Sequence, residues 1–147
     1  MPRQSVIAVT ENNRRFAVTV NKGTHVSWQK IDGTGSILDT SSSTKTYPVS
    51  GPLCDYCIMV YPNDKRYFFL VELKGTDVMH GVRQLENTIR QIKTIYKHYP
   101  KREAYIIAKG FPGPILTRFQ NKRQEFKMLF GFGLFAHTGK YKKTLNC

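Results

Sequence analysis

The stretch from Cys54 to Gly75 constrains the fold most, because two apolar runs flank a short turn. Each run is rich in β-branched and aromatic residues, and residues 62–65 between them have turn chemistry. The pattern predicts a β-hairpin. Side chains alternate between the two faces of a strand, so Glu72 shares a face with Lys74, and pairing brings Asp55 close to both.

Two carboxylates at the edge of a core repel each other unless a cation lies between them. Carboxylate oxygens suit a hard ion, which would be magnesium or manganese. Asp55 and Glu72 therefore predict a divalent-metal site that activates a water nucleophile. Lys74 would orient or deprotonate that water, or stabilise charge on a phosphate. The alternative is a surface Glu–Lys pair, with Asp55 simply starting a strand.

Asp55, followed by Glu72-Leu73-Lys74 on the next strand, resembles the D…(D/E)xK signature of the restriction-endonuclease-like PD-(D/E)xK nuclease superfamily. The resemblance covers residues 54–109. One departure is that Cys54 stands where the family has proline. The resemblance implies an α/β fold with a restriction-endonuclease-like core, which is a central mixed β-sheet flanked by helices, and a magnesium-dependent endo- or exodeoxyribonuclease.

Further site residues follow from the resemblance. It implies that the backbone carbonyl of Leu73 is a metal ligand and that Gln84 lies near the metal and its water. Related nucleases also carry an acid on a helix ahead of the sheet, for which Glu11 is the candidate and Asp32 and Asp39 are rivals. A turn or helix-start role is the alternative for each of these acids, and a polar residue flanking a buried stripe is the alternative for Gln84.

The chain after the hairpin predicts a crossover. Thr76 or Asp77 caps a helix that runs to His98, with one buried stripe at helical spacing. The stripe comprises Val78, Val82, Leu85, Ile89, Ile92 and Tyr96. The apolar run within 102–109 predicts a strand parallel to the Glu72 strand. A loop at 110–114, a helix over 115–130, a last strand over 134–137 and a tail that carries Lys140, Lys142 and Lys143 complete the prediction.

The first fifty residues are harder to assign. Thr10 is a candidate cap for a short helix through Arg15, whereas Phe16, Val18 and Val20 alternate as in a strand. The sequence leaves both open. Residues 25–31 predict a strand, 32–35 a turn, and the Ser/Thr-rich residues 36–50 a hairpin or loop.

A net charge of +13 on 147 residues indicates attraction to polyanions. DNA is the expected partner, RNA less so, and an anionic membrane surface is the lesser alternative. A hydrophobic content of 40% predicts one folded domain, 1–147, with a variable part at 1–50, a motif core at 54–109 and a basic part at 114–147. The sequence shows no membrane-length apolar run and no leader-like N-terminus, so we expect a soluble cytoplasmic protein. Cys54 and Cys57 are expected to be buried thiols rather than zinc ligands.

From Pro114 onward, seven Lys or Arg residues face one acid, Glu125. These cations, with Lys109, are the predicted phosphate contacts: Lys109, Arg118, Lys122, Arg123, Lys127, Lys140, Lys142 and Lys143. Tyr141 is a candidate for stacking on a base. A merely solubilising basic face is the alternative. For the whole chain, the rival function is a non-catalytic nuclease-fold protein that binds nucleic acid or inhibits an acidic or nucleic-acid-binding protein. A homodimer is compatible with either function.

Overall fold

The structure is a computed structural model that describes residues 4–21, 23–40, 45–61, 66–73, 77–110 and 116–145. Ten strands and three helices lie within these ranges in a mixed α/β arrangement. The strands are β1 (Gln4–Glu11), β2 (Arg14–Asn21), β3 (His25–Lys30), β4 (Ser36–Leu38), β5 (Thr46–Pro48), β6 (Tyr56–Tyr61), β7 (Tyr67–Leu73), β8 (Lys101–Ala108), β9 (Gly133–Thr138) and β10 (Lys140–Thr144). The helices are α1 (Val78–Gln91), α2 (Lys93–Tyr96) and α3 (Leu116–Phe130).

A five-stranded sheet in the order β3-β6-β7-β8-β9 forms the centre. The predicted hairpin is confirmed: β6 and β7 are antiparallel, with Tyr56 opposite Val71. The predicted parallel pairing of β7 with β8 is also confirmed, with Leu73 opposite Ile107. The turn predicted at 62–65 lies outside the described residues.

Helix α1 covers one face of this sheet. It begins after Asp77, whose Oδ1 accepts a hydrogen bond from the His80 N–H at 3.0 Å. Every member of the predicted apolar stripe is buried. The helix predicted to run unbroken to His98 is instead divided at Ile92, where φ is −122°. The buried stripe continues past this point, because Ile95 and Tyr96 of α2 are also buried.

The other face is covered by a three-stranded sheet in the order β1-β2-β10. Of the two alternatives for the N-terminal segment, the strand is found and the helix is not: β1 and β2 form a hairpin. Its turn residues, Asn12 and Asn13, have φ of 49° and 65°, the left-handed conformation that two-residue turns of this kind require. Phe16, Val18 and Val20 point into the core between the sheets.

Two C-terminal predictions differ in outcome. The helix predicted over 115–130 is confirmed as α3, with Phe119 and Phe126 buried, and the last predicted strand is β9. The prediction of a basic tail after this strand is wrong. This segment forms β10, which pairs with β2 in parallel, with Lys140 opposite Arg15.

Strands β4 and β5 form a small hairpin, which is one of the two structures predicted for residues 36–50. Residues 41–44 lie outside the described part. Asp32 lies in the predicted turn. No helix in the described ranges is long and apolar enough to cross a membrane.

One end of the five-stranded sheet gathers the site. Strands β7, β8 and β9 finish there and β6 starts there; we call this end, marked by Asp55, Leu73, Ala108 and Thr138, the carboxylate edge. Helix α3 follows β8 and precedes β9, so it runs from the carboxylate edge to the opposite edge. Consistent with this direction, the carbonyl of Phe130 accepts a hydrogen bond from Arg102 Nη1 at 3.0 Å.

Candidate active site

The two predicted carboxylates meet at the carboxylate edge and hold each other's backbone. The Asp55 N–H donates to Glu72 Oε1 at 3.1 Å, and the Leu73 N–H donates to Asp55 Oδ2 at 2.9 Å. This reciprocal arrangement follows from the antiparallel register, which places Asp55 one step beyond the Tyr56–Val71 pair. Both side chains are buried, with Asp55 9% and Glu72 1% exposed.

Burying two acids side by side is costly unless other groups balance their charge. Glu72 follows Phe68 and Leu70 on the face of β7 that α1 covers, so it lies in an apolar setting. The predicted neighbour Lys74 lies outside the described residues. Its role therefore stays a prediction.

Helix α1 supports the loop that carries Asp55. Gln84 is 7% exposed, and its Nε2 donates to the Leu53 carbonyl at 3.1 Å. Gln84 Oε1 is buried and has no hydrogen-bond partner among the described residues. Through the bond to Leu53, α1 contacts the loop two residues before Asp55.

A second helix residue, Thr88, was not predicted to matter. Its Oγ1 accepts a hydrogen bond from the Cys54 N–H at 3.0 Å and donates to the Gln84 carbonyl at 2.8 Å. Thr88 lies one turn after Gln84 on the same helix face, and a buried hydroxyl at that spacing was the available signal. Thr88 and Gln84 together fix the backbone at residues 53 and 54.

Thr88→Val is expected to lower the free energy of unfolding by roughly 1–3 kcal/mol, because the buried Cys54 N–H loses its acceptor while the side-chain volume is kept. Urea denaturation would measure this loss. Thr88→Ser keeps the hydroxyl and is the matched control. A loss in Thr88→Ser without a loss in Thr88→Val would show that the methyl group, and not the hydrogen bond, matters at this position.

The two cysteines are free, buried thiols, as predicted. Burial raises the pKa of the Cys54 thiol far above its ordinary value, and the negative charges of Glu72 and Asp55 add to that rise. Burial likewise raises the pKa of Cys57. Burial beside the acids therefore favours the neutral thiol at Cys54.

The three candidates for a third acid lie in three different settings. Glu11 ends strand β1 and is not on a helix. Asp39 is buried after β4, where its N–H donates to the Lys45 carbonyl, and Asp32 is exposed in a turn. Among the residues that the structure describes, no three His, Cys, Asp or Glu side chains are grouped to hold a metal ion.

The predicted basic residues separate into distinct environments. Lys122 Nζ contacts Glu86 at 3.1 Å and Glu125 at 3.0 Å, and the hydrogen bond to Glu125 is the main reason that its pKa is raised. Lys143 contacts Glu103 at 3.5 Å. The charges of Lys122 and Lys143 are therefore partly neutralised within the protein.

The other predicted cations differ in position. Lys109, Arg118, Lys140 and Lys142 are exposed. Arg123 lies over the Phe135 ring at 5.6 Å, and Lys127 in the last turn of α3 borders a depression at the opposite edge. The basic C-terminal part is therefore not one continuous surface at the carboxylate edge.

Tyr141 was predicted as a base-stacking residue. Its ring stacks on His137, with 3.8 Å between the ring centroids, and it lies 5.2 Å from Tyr105. Burial lowers the pKa of His137. One face of Tyr141 is therefore already used within the protein core.

No protein-family model matches this chain, and neither the curated proteins nor the solved structures contain a match.

Proposed function

We propose that this protein is a metal-dependent nuclease that hydrolyses phosphodiester bonds of DNA at Asp55 and Glu72. The observation that carries the proposal is the reciprocal pair of hydrogen bonds, Asp55 N–H to Glu72 Oε1 and Leu73 N–H to Asp55 Oδ2, at 3.1 and 2.9 Å. It holds two carboxylates together at the rim of a basic protein. Two acids with a purely structural role are rarely buried side by side at the edge of a sheet.

The donor set fits a hard divalent cation. Asp55, Glu72 and the Leu73 carbonyl are all oxygen donors, and magnesium in particular is often held by only one or two carboxylates. Magnesium or manganese is the expected ion.

Such an ion would acidify a water and neutralise charge on the scissile phosphate. The protein's own residues would do the rest. Gln84 Oε1, buried and partnerless among the described residues, would accept a hydrogen bond from the attacking water and orient it. Lys74, by the resemblance, would position the water or stabilise the charged phosphorane.

The order of the central elements also supports the proposal. Strands β3, β6 and β7 form an antiparallel meander, α1 follows, and β8 returns in parallel beside β7. This order resembles a restriction-endonuclease-like core, with the two acids at the start of its second strand and the end of its third. We therefore propose that the mixed α/β fold has a restriction-endonuclease-like core.

The second candidate is a non-catalytic protein of the same fold that binds nucleic acid or an acidic protein. Exposed cations such as Lys109 and Lys140 would serve this alternative, because binding to a phosphate backbone needs no catalytic site. Metal-dependent turnover separates the two candidates.

The test is cleavage of linear duplex, branched and single-stranded DNA with magnesium or manganese. We expect cleavage that stops with chelator and returns with manganese. Gln84→Met removes the orienting acceptor at similar volume and should lower cleavage by roughly 10- to 100-fold while manganese still binds. Gln91→Met, on the same helix, is the matched control.

Absence of cleavage on all three DNA forms, from protein shown to be folded, would reject the nuclease in favour of the non-catalytic alternative. Equal loss in the Gln84 and Gln91 variants would instead reject the orienting role of Gln84 alone.

A further inference from the structure

The turn of the β1–β2 hairpin and the start of β10 enclose a cleft of about 540 Å³, lined by residues 10–15 and Lys140, which we call the hairpin cleft. Arg15 and Lys140 are exposed and Arg14 is half-buried. These three cations accompany one carboxylate, that of Glu11. The sequence had pointed to the C-terminal part for phosphate contacts, so Arg14 and Arg15 are additional candidates.

Main-chain hydrogen bonds place the hairpin cleft at the carboxylate edge. The Arg15 N–H donates to the Gly139 carbonyl at 3.0 Å, and the Gly139 N–H donates to the Ala108 carbonyl at 2.9 Å. Ala108 is one step beyond Ile107, the register partner of Leu73. The cleft therefore opens at the same end of the central sheet as Asp55 and Glu72, on the face that the three-stranded sheet covers, whereas Glu72 lies on the face that α1 covers.

The hairpin cleft holds polar atoms that the described residues do not satisfy. Arg14 Nε and Glu11 Oε2 are buried without hydrogen-bond partners there. A buried guanidinium donor without a partner is costly, and a phosphate oxygen that reached it would satisfy it, whereas the Glu11 oxygen on the paired strand is an acceptor that a phosphate would not satisfy. The left-handed turn at Asn12 and Asn13 makes the hairpin tight, so the cations are held on a firm support.

Two basic residues of α3 are less suited to this role. Lys122 contacts two carboxylates, and Lys127 lies at the opposite edge, beside Lys101 and Gly133. A phosphate chain that crosses Asp55 and Glu72 would meet the hairpin cleft and exposed Lys109 before it reached Lys127.

We infer that the hairpin cleft is the main binding surface for the nucleic-acid backbone, with Arg14, Arg15 and Lys140 contacting phosphates at the same end of the sheet as the two acids. The inference rests on the proposed function for what happens to the bound DNA. Its binding component is tested without catalysis.

The experiment measures binding of a fluorescein-labelled 20-base-pair duplex by anisotropy, in buffer with chelator, over a series of salt concentrations. Arg15→Ala combined with Lys140→Ala removes two exposed cations and should leave the fold intact. We expect affinity to fall roughly 10-fold near 0.1 M salt and the slope of log affinity against log salt to decrease by about 2. Arg14→Ala should add to the loss.

Lys101→Ala combined with Lys127→Ala is the matched control, because it removes two exposed lysines from the opposite edge. We expect it to bind within about 2-fold of the parent. An equal or larger loss in this control, no loss in the Arg15 and Lys140 variant, or binding to phosphatidylserine vesicles in place of DNA would each overturn the inference. If the binding pattern holds but the parent cleaves no DNA, only the proposed catalysis fails.

Discussion

Glu72→Gln is expected to weaken manganese binding and lower DNA cleavage by at least ~100-fold, while it changes the free energy of unfolding by less than about 1 kcal/mol. The amide keeps an oxygen where Glu72 Oε1 accepts the Asp55 N–H, so the local hydrogen bond survives. What it removes is one negative charge from the pair of acids. Calorimetry with manganese, cleavage assays and urea denaturation would measure the three quantities.

Two further variants make this expectation sharper. Asp55→Asn should behave like Glu72→Gln, because Asn retains an acceptor for the Leu73 N–H. Glu103→Gln makes the same chemical change at a half-buried acid near the start of β8, where Glu103 accepts from the Tyr105 hydroxyl at 2.9 Å. This control should retain metal binding and cleavage.

The pattern of losses decides between a functional and a structural pair of acids. A structural pair predicts no manganese binding by the parent, because its carboxylates then serve only the Asp55 and Leu73 N–H groups. A functional pair predicts manganese binding by the parent and its loss in both acid variants. Retained cleavage in both acid variants would remove Asp55 and Glu72 from the mechanism.

The centre of the fold could be predicted because its signals are local. The β6–β7 hairpin is specified by two apolar runs around a turn, and its register then forces Asp55 beside Glu72. Helix α1 is specified by the spacing of Val78, Val82 and Leu85, and the parallel strand β8 follows from the rule for crossovers. The two acids could therefore be placed before any coordinates, whereas Gln84 was suggested by the resemblance.

The N-terminal and C-terminal strands could not be predicted with equal success, because their pairing is not local. Strand β10 joins β2 across more than a hundred residues, and its exposed lysines mask an alternation in which Tyr141 and Leu145 point inward. A lysine-rich strand at the edge of a sheet is also a common protection against aggregation. Charge alone therefore suggested a tail.

The same limit explains the phosphate contacts. Arg14 and Arg15 adjoin the apolar residues of β2 and were not predicted as phosphate contacts, whereas the cations after Pro114 were predicted because they are concentrated in the sequence. Only the pairing of β10 with β2 brings Lys140 opposite Arg15. Which cations lie near the acids is thus a consequence of tertiary structure, not of local charge density.

Phe16→Ala is expected to lower the free energy of unfolding by about 3–5 kcal/mol. Phe16 is fully buried between the two sheets, where its ring lies 4.6 Å from Tyr105 and 6.0 Å from Phe69, measured between centroids. Its removal leaves a cavity that neighbouring strands cannot close without shifting. Urea denaturation, followed by circular dichroism, would measure the loss, and Val6→Ala at a 52% exposed position of β1 is the control.

The position of Phe16 links this loss to the hairpin cleft. Arg14 and Arg15 directly precede Phe16 on β2, so the ring that anchors the three-stranded sheet also fixes where these cations lie. In protein that remains folded, Phe16→Ala should therefore weaken duplex binding, whereas Phe16→Leu, which fills most of the cavity, should restore both properties in large part. If Phe16→Ala lowers the free energy of unfolding by the expected amount but leaves DNA affinity unchanged, the cleft does not depend on how the two sheets pack.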